Sequence, residues 1–98
     1  MVSKHYKDER QAREDAIRKI GYGTVIKTVL VNHPVAGLQI HRITDTGIVL
    51  VYNKDTHKLI TKLIARVGQI KRYYPNGDAP KDLLDKAFQH QQLGLNNI

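Results

Sequence analysis

The sequence lacks cysteine and tryptophan altogether, and its apolar runs are short. Without cysteine there can be no disulfide, no thiol catalysis and no cysteine-based metal site, which fits a reducing compartment. No run approaches the roughly 20 apolar residues that cross a bilayer, and the first stretch, MVSKHYKDERQARED, has no apolar core of a secretion signal. We therefore expect a cytoplasmic protein that does not enter a membrane.

Residues that bind metals or act as nucleophiles are also scarce. The five histidines form no HExxH pair and no other close ligand spacing. Between residues 38 and 74 the only acids are Asp45 and Asp55, both in expected turns. Ser3, the single serine, stands where a helix cap is expected. The sequence thus predicts no metal site, no cofactor and no serine-based catalysis.

Positive charge is what the chain has in excess. Its 98 residues carry 16 Lys and Arg against 9 Asp and Glu, a formal charge of +7, and the length suits one domain over residues 1–98. Residues 56–74 contain no acid and concentrate five cations, namely Lys58, Lys62, Arg66, Lys71 and Arg72. Such a surface attracts phosphate backbones or an acidic protein, or it simply keeps a small domain solvated.

Two helices are expected, one near each end of the chain. The first covers residues 4–20, because helix-forming residues fill it and Gly21 and Gly23 follow. The second covers residues 80–92, with Pro80 suited to its first turn, and residues 93–98 form a tail. Its apolar stripe is expected to lie on a sheet and consists of Leu83, Leu84, Ala87, Phe88 and Gln91.

The region between these helices, residues 24–74, predicts an antiparallel sheet. Residues 24–31, TVIKTVLV, are rich in β-branched side chains, although a run this short could also be a helix. Further strands are expected at residues 38–43, 48–52, 57–65 and 69–74, separated by turns that contain Gly, Asn and Asp. The fold class is therefore α+β: a four- or five-stranded antiparallel meander with an N-terminal and a C-terminal helix packed on it.

The basic residues and histidines of the sheet fit the chemistry of metal-free RNA cleavage. There the RNA 2′-hydroxyl is the nucleophile, and the protein supplies a base, an acid and cations for the phosphate. Residues of these types on or beside the sheet are His41, Thr61, Arg66, Arg72 and Tyr73. Taken singly, each could equally be an ordinary strand residue or an exposed edge charge. On the first helix, Arg10 and Arg13 either line the same surface or extend past the core to pair with Glu9 and Glu14.

The chain combines a first helix that carries a histidine and arginines with the following stretch HRITDTGIVLVYNKDTHKLITKLIAR. This combination resembles the metal-independent ribonuclease and toxin superfamily that includes barnase, RelE-type toxins and colicin nucleases. The closest part is the hairpin TGIVLVYNKDTHKLIT. The stretch IARVGQIKRYYPNG is similar to small proteins of Gram-positive phages and prophages. The resemblance implies catalytic residues from the first helix and the exposed sheet face, here His5, Arg13, His41, Thr61 and Arg72.

Three functions follow from this reading. The first is an RNA-directed cytoplasmic protein that could cleave RNA without metal. His41 would move the proton, Thr61 and the arginines would bind phosphate, and Tyr73 would stack on a base. The second is a non-catalytic nucleic-acid-binding module, to which Arg10, Lys58, Lys62, Arg66, Lys71 and Tyr73 would contribute. The third is a structural or regulatory phage protein that binds an acidic protein partner, such as an antitoxin, or self-associates through an edge strand. The oligomeric state and the strand registers are left open.

Overall fold

The computed structural model describes the backbone of residues 4–97 and the side chains of residues 10–96. Three α-helices and four strands account for most of this part of the chain. In order they are α1 (Lys4–Ile20), β1 (Val25–His33), β2 (Gly37–Thr44), β3 (Ile48–Asn53), β4 (Leu59–Ile64), α2 (Val67–Tyr73) and α3 (Lys81–Gln92), followed by a 3₁₀ turn at Leu95–Asn97. The predicted α+β class and both terminal helices are confirmed.

The sheet is a four-stranded antiparallel meander in the order β1-β2-β3-β4. The stretch TVIKTVLV belongs to a strand, and it pairs with β2 along most of its length. His41 pairs with Val29 on one side and with Val51 on the other, and Val51 pairs in turn with Thr61. Since directly opposed residues of antiparallel strands point to the same face, these four side chains form one row across the sheet.

The predicted fifth strand at residues 69–74 is wrong, because this segment is the helix α2. Its apolar residues fit either period, and the three-residue steps Val67, Ile70, Tyr73 place one stripe on the core. The first turn of α2 is completed from another helix: the Val67 N–H donates to the Gln91 side-chain oxygen at 2.6 Å. Tertiary contacts thus select the helix.

The two faces of the sheet carry two hydrophobic cores, and β3 contributes to both. On the first face Val49 and Val51 pack with α2 and α3, in a cluster that includes Ile43, Ala65, Ile70, Leu83 and Ala87. On the second face Ile48 packs against α1 in a cluster with Ala16, Ile17 and Ile64. We call the first the α2–α3 face of the sheet and the second the α1 face. The expectation that residues 48–52 form a strand covered on both faces is confirmed.

The stripe predicted for α3 is only partly correct. Leu83 and Ala87 are buried, but Phe88 is 56% exposed and Gln91 is exposed as well. Each residue turns an α-helix by about 100°, so Phe88 points well away from the direction of Ala87. His90 is buried instead, with its ring packed against Gly47 in the β2–β3 turn.

The link between α1 and β1 is hydrogen-bonded to the β2–β3 turn. The Thr24 N–H donates to the Asp45 carboxylate at 2.9 Å, and the Thr46 hydroxyl donates to the Gly21 carbonyl at 2.8 Å. Gly23 lies between them with a φ of 63°, in the left-handed region that favours glycine. These contacts fix the point from which α1 leaves the sheet.

Candidate nucleic-acid interface

A polar groove lies between α1 and the edge strand β4, and we call it the α1–β4 groove. Its volume is about 420 Å³, and its walls are Arg10, Arg13, Glu14, Leu59, Ile60, Thr61 and Lys62. The helix lies beside the strand because Ala16 and Ile17 pack on Ile64 of β4 and on Ile48 of the neighbouring strand. The groove therefore brings two arginines and one lysine together against a single acid among its described lining residues.

Lys62 is held in place at one end of this groove. Its ammonium lies 3.4 Å from the Glu14 carboxylate and 5.5 Å from the centroid of the Tyr22 ring. A hydrogen bond with Tyr22, and then the charge of Glu14, raise the pKa of Lys62 above its ordinary value. Lys62 is therefore charged at neutral pH. Tyr22 itself is 41% exposed.

A second concave site lies on the opposite side of the sheet, between β1, β2 and α2. This cavity of about 320 Å³ is lined by Val29, Val31, His41, Gln69, Arg72 and Tyr73, and we call it the His41 cavity. Its walls combine the row of side chains on the α2–α3 face with one side of α2. Two valines make it largely apolar, and the polar groups come mostly from α2.

His41 and Tyr73 stand at the centre of a hydrogen-bonded chain in this cavity. The Tyr73 hydroxyl lies 2.6 Å from Nδ1 of His41, and the Gln39 side-chain oxygen lies 2.9 Å from Nε2. The Gln69 amide donates to the Tyr73 oxygen at 2.9 Å. A neutral His41 with its proton on Nε2 satisfies every contact: Gln69 donates to Tyr73, Tyr73 to Nδ1, and Nε2–H to Gln39.

Burial sets the protonation of both central groups. It lowers the pKa of His41 below its ordinary value, and a like charge on His33 lowers it further. Burial also raises the pKa of Tyr73, while the Gln69 hydrogen bond and nearby Arg72 act in the other direction. At neutral pH the pair is therefore an uncharged imidazole and an uncharged phenol.

The structure separates the residues for which a catalytic role was predicted into two sets. His41 and Arg72 line the His41 cavity with Tyr73, whereas Arg13 and Thr61 line the α1–β4 groove with Arg10 and Lys62. Thr61 and His41 do share a face, but two strand spacings, about 10 Å, separate their backbones. The sheet lies between α1 and the His41 cavity, so the helix does not form the second wall expected for it.

The remaining predicted residues are spread over the surface. Lys58 is exposed just before β4, Lys71 is exposed on α2, and Arg66 is exposed immediately before that helix. Tyr73, expected to stack on a base, is 8% exposed with its ring edge against His41. The side chain of His5 lies outside the described residues.

Three residues of these sites were missed from the sequence. Gln39 lies two residues from His41 on the same strand, so their shared face follows from strand alternation. Gln69 contacts Tyr73 because the two residues are four apart on a helix. The contact was not expected, since this segment was predicted as a strand. Tyr22 follows a helix end, and no local pattern places it beside Lys62.

Neither a protein-family model, nor a curated protein sequence, nor a solved structure matches this chain. The resemblance of its hairpin to the metal-independent ribonuclease and toxin superfamily therefore stays a prediction. The fold and the two sites described above are the observations on which a function can be argued.

Two features are absent from the part of the chain that the structure describes. Over the described part of the chain, no three His, Asp or Glu side chains gather as ligands for a metal ion. Among the helices of residues 4–97, none combines the length and the apolar character needed to cross a bilayer.

Proposed function

We propose that this protein binds single-stranded RNA along the α1–β4 groove and does not cleave it. The observation that carries the proposal is the convergence of Arg10, Arg13 and Lys62 on one polar groove with an exposed tyrosine at its end. Nucleic-acid affinity comes largely from cations that replace the counterions of phosphates. This groove offers three of them within one continuous concave surface.

The chemistry of the groove suits a phosphate backbone. Arginine can donate two parallel hydrogen bonds to one phosphate, and lysine contributes a point charge. Thr61 borders the groove from the edge strand, but its side chain points to the α2–α3 face, so the cations are the groups that would bind phosphate. Glu14 pairs with Lys62 and keeps its ammonium at the groove, so the acid positions a cation besides reducing the net charge.

The exposed ring of Tyr22 favours single-stranded RNA over duplex RNA as the ligand. Unpaired bases stack on exposed aromatic rings, and such stacking contributes about 1–3 kcal/mol per base. Lys62 contacts this ring and also lines the groove, so a base on Tyr22 would adjoin a phosphate at Lys62. The choice of RNA over DNA rests on the resemblance of the hairpin TGIVLVYNKDTHKLIT.

Binding is favoured over cleavage by the state of His41. His41 is 9% exposed, both of its ring nitrogens are engaged by Tyr73 and Gln39, and the α1–β4 groove lies across the sheet from it. A general base must reach the proton that it removes, directly or through one water. In this arrangement the cations that would bind RNA and the histidine that would act on it are apart.

Fluorescence anisotropy with a labelled 12-nucleotide single-stranded RNA tests the proposal. Three phosphate contacts predict a slope of about −2 in a plot of log affinity against log salt concentration. Arg13→Gln should reduce that slope by about 0.7 and weaken binding several-fold. Lys81→Gln, an equal charge change on α3, is the matched control and should leave the slope unchanged.

The same samples, kept in EDTA and run on a denaturing gel, test the absence of cleavage. Intact RNA at high protein load is expected. Cleavage products that disappear in His41→Ala would contradict the proposal and support a metal-free ribonuclease. Equal losses in Arg13→Gln and Lys81→Gln would show that only net charge matters, and equal affinity for DNA of the same sequence would remove the preference for RNA.

A further inference from the structure

The His41 cavity has the size of a small-molecule site and lies across the sheet from the proposed RNA groove. Its volume of about 320 Å³ is at the lower end of the range found for ligand pockets, which is roughly 300–1,000 Å³. It opens beside α2, whose packing is mainly against α3 and the α2–α3 face. The cavity therefore exists because the chain forms a helix above β1 and β2 where a fifth strand was predicted.

One wall of the cavity is apolar and the other is polar. Val29 and Val31 of β1 form the apolar wall, and Tyr73 adds its ring. Such a wall gains from contact with a flat hydrocarbon body, because both surfaces leave water. Pockets that bind small ligands commonly combine an apolar lining with a few convergent polar groups.

The polar wall is already organised by the protein. His41 and Tyr73 satisfy each other, with Gln39 and Gln69 at the two ends of the chain of hydrogen bonds. These groups therefore need no ligand to compensate their burial, and they hold the cavity in a defined shape. The neutral His41 also contributes no charge that would repel or attract an ion.

The charge of the cavity comes from a single residue. Arg72 is exposed on α2 and lines the cavity, and no acid is found among its described lining residues. The Arg72 Nε donates to the Gly68 carbonyl at 3.4 Å, a long contact that leaves the terminal nitrogens to meet an anion. A ligand that matched this site would be apolar at one end and negative at the other.

We propose that the His41 cavity binds a small flat apolar acid, with its hydrocarbon body against Val29 and Val31 and its anionic head at Arg72. The head is a carboxylate or a phosphate, both of which accept the paired hydrogen bonds of a guanidinium. This site is separate from the RNA groove in position, lining and ligand. Its occupant is a small molecule and not a polymer.

The test is a titration of the ¹⁵N-labelled protein with 2-naphthoate and with its neutral isostere 2-naphthamide, followed by amide chemical shifts. Naphthoate should shift amides of β1, β2 and α2 and bind about tenfold tighter than naphthamide, because only naphthoate forms charge-assisted bonds. Naphthyl phosphate should shift the same amides, which would show that the site recognises an anionic head in general. Shifts confined to α1 and β4 with any probe would overturn the proposal.

Variants of the cavity test the contributions of the anionic head and of the apolar body of the ligand separately. Arg72→Gln should remove the tenfold preference for naphthoate and leave naphthamide binding unchanged, whereas Lys71→Gln, an adjacent cation outside the lining, should retain the preference. Val31→Leu should fill part of the cavity and weaken both probes several-fold. It adds one methylene group beside an open space, so the fold should persist, as unshifted amides of α1 would show. Equal binding of both probes to the wild type, or unchanged binding to Val31→Leu, would overturn the assignment.

The RNA titration makes the two proposals distinguishable. Arg72→Gln should leave the salt slope for RNA unchanged, since Arg72 lies outside the α1–β4 groove. Arg13→Gln should leave the naphthoate affinity unchanged, since Arg13 lies outside the His41 cavity. Failure of one proposal therefore leaves the other standing on its own measurement.

Discussion

The Tyr73 hydroxyl donates to Nδ1 of His41 at 2.6 Å, and this bond joins α2 to β2 across 32 residues of chain. The two rings also meet edge to face, with centroids 5.7 Å apart. This hydrogen bond thus adds to the apolar packing that positions α2, a segment that the sequence predicted as a strand. It also engages the histidine for which a catalytic role was predicted.

Removal of that hydroxyl should destabilise the fold. In Tyr73→Phe, both His41 Nδ1 and the Gln69 amide lose a partner at a largely buried position. We expect the free energy of unfolding to fall by about 1–2 kcal/mol. The measurement is urea denaturation followed by circular dichroism.

Tyr52→Phe is the matched control. Tyr52 is half-buried on the α1 face, and Arg42 contacts its ring at 4.7 Å, an interaction that phenylalanine retains. Its effect should stay within about 0.5 kcal/mol. Similar losses in both variants would show that the His41–Tyr73 bond contributes nothing specific.

Stability should decrease as the pH falls below about 6.5. Burial lowers the pKa of both His41 and His90 in the folded protein below the ordinary value of 6.5. On acidification the unfolded chain takes up these protons first, so it binds more protons than the folded chain and the free energy of unfolding falls. The decrease should end once the pH is below the folded pKa values.

Urea midpoints measured between pH 7.5 and 5 test this dependence. The variant His41→Gln/His90→Gln, less stable throughout, should have a flatter pH profile over that interval. His90 has an additional reason to remain neutral, because its Nδ1 is buried without a hydrogen-bond partner among the described residues. Profiles of equal steepness in the wild type and the double variant would refute the assignment to these histidines.

Two glycines that end α1 should differ in their tolerance of a side chain. Both have positive φ values, 82° at Gly21 and 63° at Gly23. A Cβ at Gly21 would meet nothing within 4 Å, so Gly21→Ala should cost only the backbone strain, about 1 kcal/mol. A Cβ at Gly23 would collide with the Asp45 carboxylate, which accepts the Thr24 N–H.

Gly23→Ala should therefore cost at least about 1.5 kcal/mol more than Gly21→Ala, because the charge-assisted bond to Asp45 is displaced. Thermal denaturation of the two variants side by side gives the difference. Equal melting temperatures would show that the α1–β1 link is not held by the β2–β3 turn.

Leu83 and Phe88, two of the large apolar residues of α3, should respond very differently to truncation. Leu83 is buried in the core of the α2–α3 face, and Leu83→Ala should cost about 2–5 kcal/mol. Phe88 is exposed, and Phe88→Ala should change stability by less than about 0.5 kcal/mol. A large loss in Phe88→Ala in the isolated protein would contradict the orientation of α3.

Much of the fold could be predicted because its signals are local. The strand of residues 48–52 is apolar throughout, and the structure buries it on both faces. Glycines follow α1, and Pro80 precedes α3 directly, so both helix limits agree with the structure. The candidate site was harder, because its residues come from distant segments whose relation depends on which face each helix covers.

The sequence by itself determined the α+β class, the meander of the strands at residues 38–43, 48–52 and 57–65, the two terminal helices and the excess of positive charge. These features follow from periodicity, turn residues and composition. Only the tertiary structure decided that residues 67–73 are a helix, because their apolar spacing fits both periods and the choice depends on contacts with Gln91, His41 and the core. It also placed α1 on the face opposite His41. That placement puts Arg13 and His41 on different surfaces, because a side chain cannot reach through a close-packed sheet.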